Sequence, residues 1–263
     1  MKRIGGVGFI LNGIQQDYSF MESIHSMLAC CDQVHILDAG STDGTQEVLK
    51  SINDDRLFVY LLSDQSLWNS IEGPTKLSYF QNIVMDKAQQ AGMDFLLLVQ
   101  ADEIVHEDSI PNIRAAVEEG AADAYVFTRY NLFKDPYHFL NVPQHMKPCS
   151  TEVVRLAKSH WRSYSDGEHI KCITCRPYKT LGHLEIFHTG YVRHKRLHLL
   201  KIRHMLTEVF KMDMDKRAEN CEEFEWDRFF KEEDLLPIPK ALPIYVQQWA
   251  KERYPELNLN HPS

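Results

Sequence analysis

Two acidic stretches in this chain stand where acids do chemistry. Residues 38 to 45, Asp38-Ala39-Gly40-Ser41-Thr42-Asp43-Gly44-Thr45, follow the short apolar run Val34-His35-Ile36-Leu37. An acid at a strand end, leading through a glycine turn into a helix, can accept hydrogen bonds from the base and ribose of a nucleotide. The second stretch, Gln100-Ala101-Asp102-Glu103, ends the unbroken apolar run Phe95-Leu96-Leu97-Leu98-Val99. Adjacent carboxylates at such a strand end suit a hard divalent cation with oxygen ligands. The plainer alternatives are an ordinary turn for the first and a strand capped by solvated acids for the second. An EF-hand is excluded at 38 to 45 by the ligand spacing, and a P-loop by the lack of Gly-Lys-Ser/Thr.

Positioning these acids calls for a layered α/β sheet. Gly8 to Asn12 reads as a first strand, and Tyr18 to Ala29 has the apolar spacing of a helix packed on it. Val34 to Leu37 is a second strand, followed by a helix from Gln46 to Ser51 that Asp43 or Thr45 would cap. Leu57 to Tyr60 is a third strand, Tyr79 to Ala88 a helix, and Phe95 to Val99 a strand buried on both faces, as in a parallel sheet flanked by helices. Ala124 to Phe127 is a further strand, and Asn131 to Pro148 has the polar, proline-containing character of a loop.

Composition bounds the function classes. The 263 residues, 44% hydrophobic and 25% charged, fit one large globular domain with appendages. No apolar run reaches the roughly 18 residues that span a bilayer, and no secretory pattern opens the chain, so a cytosolic compartment is expected. A net charge of −8 argues against whole-surface attraction to nucleic acid or anionic lipid. The six cysteines do not form the framework of a small secreted domain and read as free thiols, and Cys172-Ile173-Thr174-Cys175 is a lone CxxC without a second pair.

The octapeptide at 38 to 45 resembles the D-x-G-S-T-D-G-T signature of inverting family 2 glycosyltransferases with the GT-A fold. Tyr79-Phe80-Gln81-Asn82 is similar to that family's aromatic-x-Arg-Asn segment, and Gln100-Ala101-Asp102-Glu103 to its Asp-Ala-Asp-Glu form of the DxD motif. The resemblance runs in consistent order over residues 5 to 195. It implies that Asp38 binds the base with Asn12 beside it, and that Asp102 holds Mn²⁺ or Mg²⁺ against the diphosphate. The donor side would be completed by Lys76, Gln81, Gln100 and Ala101. Two departures stand out: Gln100 replaces the first acid of DxD, and Gln81 replaces an arginine that reaches the phosphates, a role Lys76 would take over.

Further along, Glu152-Val153-Val154-Arg155-Leu156 looks like the family's strand before the acceptor site. The region after it, Ser165-Asp166-Gly167-Glu168-His169-Ile170, is similar to a His-Glu-x-Ile pattern that places the catalytic base at Glu168. Asp166 is the alternative, on the same side if the segment is extended. His188-Thr189-Gly190-Tyr191 resembles the family's His-x-Gly-Tyr, which makes His188 a second metal ligand. Residues 195 to 213 read as an amphipathic helix with a solvated basic face; the sharper alternative is a basic flank closing over the diphosphate or an anionic acceptor.

The expected architecture is an α/β GT-A fold with a mostly parallel central sheet, a catalytic domain over residues 1–194 and a helical C-terminal extension over 195–263. The expected activity is metal-dependent, inverting transfer of a sugar from a nucleotide-sugar, a UDP-sugar by preference, to a glycan, protein, small molecule or, less readily, nucleic acid. The rivals are a nucleotide-sugar-binding protein without turnover and a nucleotidyltransferase. The second lacks a basic phosphate loop after the first strand, where Asn12-Gly13-Ile14-Gln15-Gln16 stands.

Overall fold

The computed structural model describes residues 1–141, 151–167, 169–172, 179–192, 197, 201, 204, 207 and 232–255. Four strands form the first half of the sheet: β1 (Ile4–Ile10), β2 (Gln33–Asp38), β3 (Leu57–Leu61) and β4 (Phe95–Leu98). They lie in the order β4-β1-β2-β3, all parallel. The chain builds outward from β1 to β3 and then returns to the other side of β1. In an open α/β sheet, the carboxyl ends of the strands at such a reversal are the usual ligand position.

Helices cover both faces because β1, β2 and β4 are apolar on both. On one side α1 (Phe20–Cys30), α2 (Thr45–Ser51) and α5 (Ser109–Glu119) pack Phe20, Ile24, Met27, Leu49 and Ile113 onto Ile4, Ile36 and Leu97. On the other, α3 (Ser66–Ser70) and α4 (Thr75–Gln90) bring Trp68, Phe80, Val84 and Met85 against Val7, Leu37 and Leu98. Helix α4 begins at Thr75, four residues before the aromatic where periodicity alone starts it, with Pro74 just ahead of its first turn.

The second half of the sheet is largely antiparallel, so the sheet is mixed where a mostly parallel one was expected. β5 (Glu103–Val105), β6 (Ala124–Phe133), β7 (Asp135–Leu140), β8 (Glu152–Lys158) and β11 (Lys179–Tyr191) complete it, while β9 (Arg162–Tyr164) and β10 (His169–Lys171) form a separate hairpin. β8 runs antiparallel between β4 and β6, and β5 antiparallel to β11; only the β6–β11 pair is parallel here. The loop expected from Asn131 is instead the end of β6 and all of β7, reversed at Lys134 with φ 67°. A lysine in a left-handed turn carries none of the Asn-Gly signal by which hairpins are read. Residues 142–148 of that stretch lie outside the described residues.

The C-terminal segment adds to the sheet as well as covering it. Strand β12 (Leu235–Pro237) pairs antiparallel with β7, and α6 (Ile244–Arg253) buries Val246, Trp249 and Ala250 against Ile104, Leu132 and Phe187. Cys30 and Cys31 are buried free thiols, as expected, whereas Cys172 is disulfide-bonded, against expectation. Among the described residues no helix is long and apolar enough to cross a membrane.

Candidate active site

Two loops at the carboxyl edge are sewn together before any ligand is considered. Beyond β1 the chain turns at Asn12, with φ 51°, and its amide nitrogen donates to Ser41 Oγ at 2.7 Å. The Asn12 side-chain oxygen accepts from Thr42 N at 2.9 Å, and Gln15 N donates to Asp43 Oδ2 at 2.7 Å. Asn12 therefore fixes the loop that follows β2, a structural use beside the donor contact expected of it. Asp43 also takes the Thr45 amide and hydroxyl, at 3.1 and 2.6 Å, and so orders the first turn of α2 from two residues ahead.

Asp38, the last residue of β2, is fully buried. Its Oδ1 accepts three hydrogen bonds, from Gly40 N at 3.0 Å, Ser41 N at 2.8 Å and Gln46 Nε2 at 2.7 Å. Its Oδ2 is buried with no hydrogen-bond partner. A buried acceptor without a donor costs free energy unless something supplies one. Gly40 permits the turn: its φ is 94°, and a Cβ there would lie 2.1 Å from the Asp64 carbonyl oxygen.

Helix α4 carries Lys76 and Gln81, the residues expected on the phosphate side. Lys76 is buried, with Nζ over the Trp68 ring at 4.8 Å from its centroid. Gln81 is buried too, and its Nε2 lacks a hydrogen-bond partner. Ala101, partly buried, packs on the core at the α1 side.

In the turn after β4 the two acids part company. Glu103 is fully buried; its carboxylate takes Arg155 Nε and Nη2 at 2.9 and 2.7 Å, with Arg129 Nη1 at 3.5 Å. Burial raises the Glu103 pKa, but Arg155, Arg129 and the nearby His188 outweigh it and hold the carboxyl below its ordinary value. Glu103 Oε2 also accepts the Gln100 amide at 3.1 Å, while Ser23 Oγ holds the Gln100 carbonyl at 3.0 Å. Glu103 is thus the anchor of the turn.

Asp102 reaches His188 and the C-terminal segment. Its Oδ2 lies 3.4 Å from His188 Nε2 and 2.7 Å from Lys201 Nζ. Its carbonyl accepts from Thr189 N at 2.8 Å, tying the turn to β11. His188 is buried, with Nδ1 unpartnered; desolvation lowers its pKa despite the neighbouring Asp102, favouring the neutral ring. A Cβ at Gly190 would meet Asp102 Oδ2 and His188 Nε2 at 2.6 Å each, so the strand must be bare there.

The two residues expected to hold Mn²⁺ or Mg²⁺ are therefore together, with the charge of Asp102 already met by the Lys201 ammonium. An ion of this kind is usually held by one or two carboxylates, with substrate phosphates and waters completing the shell. Here one carboxylate oxygen is already matched by an ammonium, beside a single imidazole. Among the described residues no group of three or more His, Cys, Asp or Glu is arranged to hold a metal ion.

One candidate base, Asp166, sits in the turn of the separate hairpin. Asn82 of α4 binds β9 in both directions, donating to Ser163 O at 2.9 Å and accepting from Ser163 N at 2.8 Å. Beyond Tyr164 the chain turns with φ 59° at Ser165 and 79° at Gly167, and a Cβ on Gly167 would press on Leu77 at 3.0 Å. Asp166 is partly buried within that turn. The segment is not extended, so the strand alternation that set Asp166 and Glu168 on one side does not apply. Glu168 lies outside the described residues.

Three cations that pair with these acids escaped the sequence reading: Arg129, Arg155 and Lys201. Arg155 had a signal, being a charge inside the apolar run Val153-Val154-Arg155-Leu156, which demands a buried partner. Lys201 had only its place in the basic stretch from 193 to 204, of which Leu197, Lys201 and His204 fall within the described residues.

A family model described as Glycosyl transferase family 2 matches residues 21–182, more than half of the chain. Among curated proteins nothing matches. Similar solved structures include S. aureus TarS 1–349 in complex with UDP, 16% identical with a TM-score of 0.47, over 89% of this chain and 74% of that one. The same protein in complex with UDP-GlcNAc gives 16% identity and 0.48, over 84% and 70%. A putative glucose-1-phosphate thymidylyltransferase from Bacillus anthracis gives 12% and 0.41, over 75% and 94%.

Proposed function

The chain belongs to glycosyl transferase family 2, and from that premise we propose that it transfers a sugar from a UDP-sugar to an acceptor hydroxyl with inversion at the anomeric carbon. The observation that carries the donor reading is Asp38, whose buried Oδ2 awaits a donor while Oδ1 holds the loop. Uracil presents an imide N–H to such an oxygen, and a charge-assisted hydrogen bond there would discriminate against bases that lack one. The diphosphate would run from Asp38 toward Asp102, with Lys76 and Gln81 along α4.

For transfer, the base takes the proton of the acceptor hydroxyl as its oxygen attacks the anomeric carbon. The bond from that carbon to the diphosphate breaks, its electron pair leaving with the phosphate oxygen. Asp166, in the turn of the hairpin that Asn82 holds to α4, or Glu168 would be the base. Arg155 and Glu103 do not touch substrate; they fix the turn that presents Asp102. We take residues 1–194 as the catalytic domain and 195–263 as an extension that completes it, since Lys201 reaches Asp102.

The test is a calorimetric titration of UDP, GDP and CDP into the wild type and Asp38→Asn. The variant keeps a carbonyl oxygen for the loop but turns an NH₂ toward the base, so UDP affinity should fall about tenfold or more while the thermal midpoint moves little. Tighter binding of GDP or CDP would replace uridine, and unchanged UDP affinity would remove Asp38 from the donor site. The binding-protein alternative, motivated by Gln100 and Gln81, predicts the same titrations without turnover.

A further inference from the structure

We infer that Lys201 is the cation of this site: its ammonium, held by Asp102, takes the place of a divalent metal in neutralising the departing diphosphate. The inference rests on the donor reading above and goes beyond it, because the metal was the expectation. Lys201 Nζ is 2.7 Å from Asp102 Oδ2 and 5.1 Å from the centroid of the Tyr18 ring, with its side chain 15% exposed. It is therefore fixed between the turn after β4 and the loop that follows β1, two segments that meet at the carboxyl edge. An ammonium has three N–H donors and can hold a carboxylate and a phosphate oxygen together.

The charge around the turn supports this. Asp102 pairs with Lys201, and Glu103 with Arg129 and Arg155. Glu103 is consumed by the two guanidiniums, which leaves Asp102 as the acid that orients Lys201. Gly190 and His188 wall the cradle: a Cβ at 190 would strike both Asp102 and His188. When the bond from the anomeric carbon to the diphosphate breaks, its electron pair settles on the phosphate oxygen. A preoriented ammonium in a water-poor site stabilises that charge as it forms. Bond making is unchanged: the acceptor oxygen closes on the anomeric carbon and its proton passes to the base.

The experiment is a calorimetric titration of uridine and UDP into the full chain in EDTA and in MnCl₂, for the wild type, Lys201→Ala and Lys201→Arg. The wild type should bind UDP equally well in EDTA and in Mn²⁺. Lys201→Ala should weaken UDP about tenfold or more and leave uridine unchanged, and Lys201→Arg should recover most of the loss. A circular dichroism melt confirms that each variant is folded. A wild type that binds UDP only with Mn²⁺, or a Lys201→Ala variant with wild-type UDP affinity, would overturn the inference while sparing the donor reading. Failure to bind either ligand under any condition would instead overturn the donor reading, and the inference with it.

Discussion

Asn82 and Ser163 exchange two hydrogen bonds, the side-chain amide of a helix residue pairing with the main chain of a strand as another strand would. This clamp sets the β9–β10 hairpin on α4 and so locates the turn that carries Asp166. The family resemblance flagged Asn82 only as the end of a phosphate-binding segment. The structure gives it a positioning role.

Replacing Asn82 by alanine leaves both Ser163 backbone groups without their partner. A loss of about 1–3 kcal/mol in a urea titration is expected. The more specific expectation is kinetic, with kcat falling while the dissociation constant for UDP stays near the wild-type value. Equal losses in both would mean that the clamp supports the donor pocket.

Glu103→Gln removes the anion from between Arg155 and Arg129, both almost fully buried. A buried guanidinium left without its partner costs about 3–5 kcal/mol, and chemical denaturation should show a loss of that size. Replacing all three groups together, Glu103→Leu with Arg155→Met and Arg129→Met, should recover much of it. A single-variant loss below about 1 kcal/mol would show that the carboxylate is not the anchor of the turn.

Acid should destabilise the fold before its carboxylates titrate. Burial, aided by Arg3, pushes the His35 pKa down to about 4, and its ring stacks on Phe58 at 5.1 Å between centroids. In the unfolded chain the same imidazole titrates near its ordinary value of about 6.5. Between those values the unfolded state binds a proton that the native state refuses, so stability declines as pH falls through that window, by on the order of 2 kcal/mol at pH 5. His188, also lowered, adds in the same direction. Urea titrations at pH 7.5 and 5 should show the decline, and His35→Phe should shrink the difference; an undiminished difference would clear His35.

Much of the fold was legible because its signals are local. Val34 to Leu37 ending at Asp38, and Phe95 to Leu98 ending before Asp102, announce buried strands and place two acids at one edge of the sheet. What stayed hidden depends on distant partners or on quiet turns. The β6–β7 hairpin reverses at Lys134, which carries no turn signature. Glu103 looked like half of an acidic pair, and only the fold brings Arg155 and Arg129 to it. The pairing of Lys201 with Asp102 spans 99 residues of sequence, and a basic helical stretch does not say which of its cations turns inward. Glycine at 190 reads as part of a motif, while its reason is steric and visible only with Asp102 and His188 in place.

The most direct test of the account is release of UDP from a panel of UDP-sugars, followed with and without candidate acceptors, for the wild type, Glu168→Gln and Asp166→Asn. Both substitutions keep size and hydrogen-bonding capacity but remove basicity. The wild type should turn over at least one UDP-sugar. One of the two variants should lose about 10²–10⁴-fold in turnover while binding UDP as the wild type does. A wild type that binds UDP yet releases none from any UDP-sugar or acceptor tried, or two variants that both turn over at the wild-type rate, would contradict the account.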